Sequence, residues 1–260
     1  MNSKLWRGFA VVCGLALVAI SALPAAAQMA DGKGKPPMYT YVSLWNIPRA
    51  QWAEMAKADA ADKAALDQAM SSGAIVGYGN DVNLVHQPDG FTHDEWWSSM
   101  SMAGVLNVLD QFYKSGSAVS PVLESSTKHA DAIFVSRHYN WHSGSWKGLY
   151  THGGSYKLKA DAPDDAVDTL SNNLVVPVLE KLLADGTIHE YEIDTEAVHT
   201  SAPGTFWIFY IAANADGIDK VNAAVVAALK ANPLGGIAFD SMIDFTAHRD
   251  DLDRTDATYK

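Results

Sequence analysis

The sequence has almost no cysteine, since Cys13 is the only one in 260 residues. Cys13 lies in an apolar run over residues 9–23, which follows Lys4 and Arg7 and precedes the small residues 24–27. This arrangement is typical of a secretory signal peptide, and we expect cleavage after residue 27. A lipid-anchored protein would carry its cysteine at the end of the apolar run. We therefore expect an exported chain, periplasmic or extracellular, that forms no disulfide.

Positive charge is also scarce, with 19 Lys and Arg against 30 Asp and Glu and a net charge of −11. Without residues 1–27, which hold Lys4 and Arg7 and no acid, the net charge is −13. Nucleic acid and anionic membrane surfaces attract clustered cations, so this composition argues against both as partners. Because residues 9–23 are short for a bilayer, we expect no stable membrane insertion after signal cleavage.

The sequence lacks a recognisable catalytic signature or zinc motif. Its nearest pattern is His138-x3-His142, on a predicted strand and loop, where alternating side chains make the spacing less suitable for a metal than on a helix. We therefore predict no metal site and assign no catalytic residue.

An internal repeat is the strongest feature of the chain. Residues 66–86, LDQAMSSGAIVGYGNDVNLVH, return 113 positions later as residues 179–199, LEKLLADGTIHEYEIDTEAVH. Seven of the 21 aligned pairs are identical: Leu66/Leu179, Gly73/Gly186, Ile75/Ile188, Tyr78/Tyr191, Asp81/Asp194, Val85/Val198 and His86/His199. We interpret the chain as a duplication.

Apolar periodicity predicts the same element order, βαββαβ, in both copies. The expected strands are 38–46, 74–86, 92–101 and 132–139 in the first copy, and 155–160, 187–199, 205–212 and 237–248 in the second. Pro177 predicts a kink or break in the first helix of the second copy. The predicted organisation is a flexible N-terminus (28–37), a first repeat (38–141), a linker (142–154), a second repeat (155–249) and a solvated acidic tail (250–260).

A βαββαβ unit is ferredoxin-like, with helices on one face of its sheet, so the other face needs a cover. The sibling unit is the obvious cover, which predicts an α+β fold of two sheets packed face to face. This arrangement resembles the dimeric α/β-barrel superfamily, including the antibiotic-monooxygenase-like, EthD-like, NIPSNAP-like and chlorite-dismutase-like families. The last of these implies haem held by one histidine of the second half, for which His199 or His248 would be the candidate. No family-specific motif matches.

The histidines of the repeat are the first site candidates, because His86/His199 and His138/His248 fall at equivalent strand ends. They are either structural, each bonded to a neighbouring strand end, or ligands of a bound group. In the predicted last strand, Asp240 and Asp244 would face the barrel interior with His248 and mark a wet cavity. The aromatic candidates are Tyr78, Tyr191, Trp97, Trp141 and Trp146.

An acidic row alternates along the second strand of the second copy: Glu190, Glu192, Asp194 and Glu196. We expect a solvated face there. The alternative is a cavity lining that would favour a cation or metal.

Three functions follow from this sequence. The first is a secreted or periplasmic small-molecule-binding barrel of unknown ligand, in a monomer or homodimer. The second is a barrel enzyme, either a cofactor-free oxygenase or isomerase or a haem-dependent one, acting on a small aromatic substrate. The third is a structural or interaction module with a filled core.

Overall fold

A computed structural model describes residues 35–88 and 90–260. The predicted signal peptide and residues 28–34 of the predicted flexible N-terminus lie outside the described residues. Eight strands form a closed antiparallel barrel, and helices pack against its outer surface. The predicted α+β class is confirmed.

The first half of the chain contributes four barrel strands. Its elements are β1 (Met38–Trp45), α1 (Trp52–Ser71), β2 (Gly77–Asn83), β3 (His93–Ser99), α2 (Met102–Ser115), the short α3 (Pro121–Glu124) and β4 (His129–Trp141). The strands lie in the order β2-β3-β1-β4.

The second half repeats that arrangement. Its elements are β5 (Ser145–Trp146), β6 (Tyr150–Lys157), α4 (Ala166–Leu170), α5 (Val176–Ala184), β7 (Ile188–Glu196), β8 (Thr205–Ala212), α6 (Ala215–Ala231), α7 (Pro233–Met242) and β9 (Arg249–Tyr259). Its long strands lie in the order β7-β8-β6-β9. Because β4 pairs with β7 and β9 pairs with β2, the halves close one barrel, and the two-residue β5 adds to the edge of β9.

The prediction for the last strand is wrong. Residues 237–248 are mostly helical, in α7 and the 3-10 turn Phe245–Ala247, and the barrel is completed instead by β9. Asn232 is the N-cap of α7 and directly precedes Pro233, the first helical residue. Its side-chain oxygen accepts a hydrogen bond from the Gly235 amide (3.0 Å). The acidic tail is therefore not a solvated end, because alternate residues of β9 face the barrel interior.

Two further boundaries differ from the prediction. The first barrel strand of the second half, β6, begins at Tyr150 rather than at residue 155, so the expected linker 142–154 contains β5 and the first five residues of β6. At the N-terminus, Lys35 Nζ donates to the Tyr139 carbonyl (2.7 Å), and Tyr139 Oη donates to the Pro36 carbonyl (2.8 Å). Residues 35 and 36 are therefore held against β4.

The predicted break near Pro177 is confirmed. A π-helical turn, Ser171–Val175, separates α4 from α5, and Pro177 lies in the first turn of α5. Proline has no amide hydrogen for the carbonyl four residues earlier, so regular α-helical bonding cannot continue through it.

The helices are tied to the outer barrel face by matching contacts in the two halves. Tyr78 Oη donates to Asp67 Oδ1 of α1, and Tyr191 Oη donates to Glu180 Oε1 of α5, each at 2.5 Å. The glycines that follow these helices, Gly73 and Gly186, have φ values of 73° and 76°. Only glycine adopts this left-handed conformation without a steric penalty, which accounts for both positions.

Among the described residues, no single helix has the length and hydropathy to cross a bilayer. The pair α6–α7 meets both criteria jointly, but it is bent by 105°.

Candidate ligand-binding cavity

The barrel encloses a cavity of about 230 Å³. Its lining extends from the β2–β3 connection, at Gly90 and Phe91, to Glu190 and Glu192 of β7. A closed eight-stranded barrel has an interior wide enough for one small ligand when its inward side chains do not fill it. The barrel interior is therefore not filled by side chains, in contrast to the filled core of the third function considered above.

A buried lysine occupies the closed end of the barrel. The Lys260 side chain is fully buried, and its Nζ lies 2.6 Å from Glu190 Oε1 and 3.2 Å from Glu192 Oε1. The ring centroids of Trp96 and Trp141 lie 5.0 and 4.9 Å from this Nζ. Burial alone would lower the pKa of Lys260, but the two glutamates raise it above its usual value. Lys260 is therefore a cation that is neutralised inside the protein.

The acidic row of β7 is buried, so its prediction as a solvated face is wrong. Glu190, Glu192 and Asp194 line the cavity, because residues of one parity on a barrel strand all point inward. Burial alone would raise the pKa of Glu192, yet Lys260 holds it below its usual value. Glu196 lies beyond the cavity, where its carboxylate accepts hydrogen bonds from the amides of Thr200 and Ser201 (both 2.8 Å).

A second acidic group lies on β2, β3 and β9. Asp81 is directly opposite Asp94 in the β2–β3 ladder, and Asp253 is opposite Asn83 in the β2–β9 ladder. Thr151 Oγ1 donates to Asp81 Oδ2 (3.2 Å), whereas Asp81 Oδ1 is buried and has no hydrogen-bond partner among the described residues.

The pKa values of this second group are raised. Burial raises the pKa of Asp81 to about 6. Burial, together with the charge of Asp81, raises the pKa of Asp253 to about 8 and that of Asp94 well above its usual value. These are the two causes expected for carboxyls of one sign gathered in a poorly hydrated space.

Aromatic side chains form the opposite wall. Phe134 of β4 packs against Trp207 and Phe209 of β8, with ring centroids 4.9 and 5.9 Å apart. All three line the cavity with Trp96 and Ile211. These aromatic rings form an apolar wall on the strands that flank β7, with Glu192 and Asp194 of β7 paired to Phe209 and Trp207. This apolar wall faces an acidic wall, which is formed by Asp81, Asp94 and Asp253.

None of the four candidate histidines lines the described cavity. His86 and His199 lie in exposed loops after β2 and β7. His138 is buried on the outer barrel face, with Nε2 2.9 Å from Asp168 Oδ1. His248 Nδ1 lies 2.8 Å from the Ser155 carbonyl oxygen, and its ring stacks on Tyr156 at 4.4 Å. His248 makes the strand contact of the structural interpretation, whereas His138 contacts a helix, since Asp168 belongs to α4.

The two candidate aspartates of the second half are also outside the cavity. Asp240 is exposed on α7, and Asp244 Oδ1 accepts a hydrogen bond from the Thr246 amide (3.1 Å) at the turn after it. The prediction that both face the interior requires a strand over residues 237–248, and these residues are mostly helical.

The aromatic candidates occupy two places. Tyr78, Tyr191 and Trp97 belong to the cores between barrel and helices. Trp141 and Trp146 are at the closed end, where Trp141 covers Lys260 and Trp146 packs with Trp96. The structure therefore groups only these last two near the cavity floor.

Sequence reasoning missed two sets of site residues: the charged residues Asp81, Asp94, Asp253 and Lys260, and the aromatic residues Phe134, Trp207 and Phe209. One signal was available, because Asp81 and Asp194 are identical in the repeat and point inward at equivalent places on β2 and β7. Asp253 and Lys260 were hidden by the acidic composition of β9, which resembles a solvated tail.

The fold has counterparts among solved structures at very low sequence identity. A monooxygenase-like protein from Lactobacillus acidophilus NCFM gives a TM-score of 0.59 at 10% identity, covering 87% of this chain and 97% of that chain. A monooxygenase-like protein from Fusobacterium nucleatum gives 0.60 at 7% identity, with coverages of 87% and 95%. A chlorite dismutase variant from Candidatus Nitrospira defluvii gives 0.53 at 11%, with coverages of 88% and 93%.

These proteins belong to the dimeric α/β-barrel superfamily. This chain has the dimeric α/β-barrel fold. At such identities the likeness shows the fold alone, and no family model and no curated protein matches the sequence.

Haem does not fit the cavity of this α/β barrel. His93, the one histidine on the described lining, makes a T-shaped contact with Trp52 (5.2 Å between ring centroids), and its Nδ1 lies 2.9 Å from Thr92 Oγ1. Haem also carries carboxylates of its own, which the acidic wall would repel. Within residues 35–88 and 90–260, no three His, Cys, Asp or Glu side chains are arranged to hold a metal ion.

Proposed function

We propose that this chain is an exported, small-molecule-binding α/β-barrel protein whose cavity takes one compact ligand with an apolar or aromatic body. The observation that supports this proposal is the cavity between the apolar and the acidic wall. Protein interiors are close-packed, so a space of about 230 Å³ that keeps buried polar atoms without partners is costly unless something occupies it. Export rests on the N-terminal sequence pattern alone.

We also propose that the barrel arose by duplication of a ferredoxin-like unit. The halves share element order and strand order, and their equivalent contacts recur at the offset of 113 residues. Gly104 and Gly217 support this, since each lies where a helix crosses the barrel so closely that a Cβ would come within 2.1 and 3.0 Å of its nearest neighbouring atom.

The binding function is tested by blocking the cavity. Val42 lines it from β1, and Val42→Phe would place a ring in the space. The purified protein would be titrated with neutral and charged monocyclic aromatic compounds, with thermal shift and tryptophan fluorescence as readouts. We expect at least one compound to raise the melting temperature of the parent protein, and Val42→Phe to abolish the shift.

The matched control is Leu106→Phe on the exposed face of α2, where the side chain is 43% exposed. This variant should keep the ligand response. A response that survives Val42→Phe would contradict binding in the cavity, as would the absence of any response across the compound set.

A second candidate function is an enzyme that moves protons on a small aromatic substrate without a cofactor. The observation that favours it is the pair Asp81 and Asp253, since carboxyls with pKa values of about 6 and 8 suit general acid or base catalysis near neutral pH. The monooxygenase-like proteins of the same fold are consistent with it. Turnover of a bound aromatic compound that Asp253→Asn abolishes while binding persists would establish it.

A further inference from the structure

Among the described residues, the carboxyls that line the cavity form ion pairs with a cation at one end only, where Glu190 and Glu192 lie. Lys260 contacts Glu190 and Glu192. No described lysine or arginine forms an ion pair with Asp81, Asp94 or Asp253. Two carboxyls directly opposite on paired strands repel each other when both are ionised, and Asp81 and Asp94 occupy such a pair. A bound cation would allow these carboxyls to be ionised without that repulsion.

Hydrogen bonding at the acidic wall also favours a ligand that is a hydrogen-bond donor. Asp81 is 3% exposed and lines the cavity, and its Oδ1 has no partner among the described residues. Asn83 also lines the cavity, and its Oδ1 is a second buried oxygen without a partner there. Both atoms are acceptors. A buried acceptor without a donor costs about 1–3 kcal/mol, and a ligand that donates to these two oxygens would remove that cost.

The other side of the cavity defines the rest of the ligand. Phe134, Trp207 and Phe209 form an apolar wall, and Trp96 stands between the acidic wall and the closed end. Aromatic faces also attract cations, as Trp96 does with Lys260 at 5.0 Å. A bare metal ion would leave this apolar surface without a partner.

Building on the proposed binding function, we propose that the cavity binds a protonated organic amine with an apolar or aromatic body. The ammonium lies among Asp81, Asp94 and Asp253 and donates a hydrogen bond to the unpartnered Oδ1 of Asp81, and the body packs on Phe134, Trp207 and Phe209. A primary ammonium supplies three donors and one positive charge, and no described lysine or arginine forms an ion pair with these carboxyls.

Three probes of similar size and different charge test this inference on the purified protein at pH 7: 2-phenylethylamine, 2-phenylethanol and phenylacetate. Tryptophan fluorescence titration would give each Kd. We expect the amine to bind at least 10-fold more tightly than the alcohol and the carboxylate to bind most weakly. Equal affinity of alcohol and amine, with both lost in Val42→Phe, would overturn amine recognition while the binding function stands. Failure of all three probes to bind would overturn the amine proposal, and failure of the wider compound set would overturn the binding function.

Variants then locate the ammonium. Asp81→Asn and Asp253→Asn keep side-chain size and each remove a carboxyl that the bound ammonium would hold ionised, and we expect each to weaken amine binding at least 10-fold while alcohol binding changes less than 2-fold. Asp110→Asn, on the exposed face of α2, is the control and should change neither. Unchanged amine affinity in both cavity variants would overturn the proposal. So would displacement of the amine by micromolar Mg²⁺ or Ca²⁺, which would identify a metal site.

Discussion

Lys260 shows how much can depend on one side chain in this barrel. Lys260 is the single lysine on the inward face of the described strands that neutralises the carboxylates of β7. Its position at the end of an acidic stretch of sequence did not indicate that it would be buried. A lysine after RDDLDRTDATY is expected in solvent, since lysine is almost never fully buried unless paired. Its partners, Glu190 and Glu192, are 70 and 68 residues away in sequence, so only the closed barrel brings them together.

Removing that cation should be costly. Lys260→Met leaves two buried glutamates without a partner, and we expect a loss of about 3–5 kcal/mol in the free energy of unfolding, measured by urea denaturation. Lys114→Met, at an exposed ion pair with Asp110, should change stability by less than about 0.5 kcal/mol. Adding Glu190→Gln to Lys260→Met should restore part of the loss, and no recovery would contradict the pairing.

Asp253 predicts a pH dependence of stability. Its pKa is raised by burial to about 8, so the folded state holds a proton that the unfolded chain has released above about pH 4. Stability from this group is therefore present at low pH and is lost as pH rises through 8. We expect the melting temperature to fall as pH rises toward 8 and to level off above it, and Asp253→Asn to reduce that slope. Glu54→Gln, an exposed variant on α1, should leave the slope unchanged, and a wild-type slope in Asp253→Asn would disprove the assignment.

The sequence predicted the secondary-structure elements whose local residue pattern agrees with their position in the folded barrel. β1, α1 up to Gly73 and both central hairpins were expected from β-branched and aromatic runs, helical spacing and turn residues. The last strand failed for a physical reason. Residues 237–248 alternate Phe239, Ser241, Ile243 and Phe245 as a strand would, but the Asn-Pro start favours a helix. β9 carries acids inward, and no local pattern distinguishes that from a solvated tail.

The corrected position of the last strand can be tested with two variants. Thr255 is fully buried in β9 and its amide donates to the Leu149 carbonyl (3.1 Å), so Thr255→Pro removes the hydrogen bond that joins β9 to the residue before β6. We expect a loss of about 3 kcal/mol or more by urea denaturation. Ile237→Lys, on α7 at 63% exposure, should stay within about 0.5 kcal/mol. The reverse ranking would favour residues 237–248 as the strand.

At the scale of the whole molecule, closure depends on two seams, β4 with β7 and β9 with β2. Each half therefore leaves two strand edges unpaired when it stands alone, and it also exposes the face that lines the barrel. The repeat in the sequence predicted that each half would cover the inner sheet face of the other. The cavity between the halves could not be predicted, because its volume depends on contacts between side chains of non-adjacent strands. The interior charges are also unequally divided, since β7 and β9 carry most of the acids and the one buried lysine.

This division predicts how the halves behave when separated. A cut between Ser143 and Gly144 keeps β5 with β9, where Gly144 N donates to the Lys260 carbonyl (3.0 Å). We expect co-expressed fragments 35–143 and 144–260 to form a 1:1 complex with the circular dichroism spectrum and ligand response of the intact protein. Fragment 144–260 alone should not form a stable homodimer, because pairing two copies would double the buried carboxylates of β7 and β9 in one interior. Light scattering and native mass spectrometry would measure the stoichiometry. Folded monomers, or homodimers that persist after the fragments are mixed, would show that the seams are not what holds the two halves together.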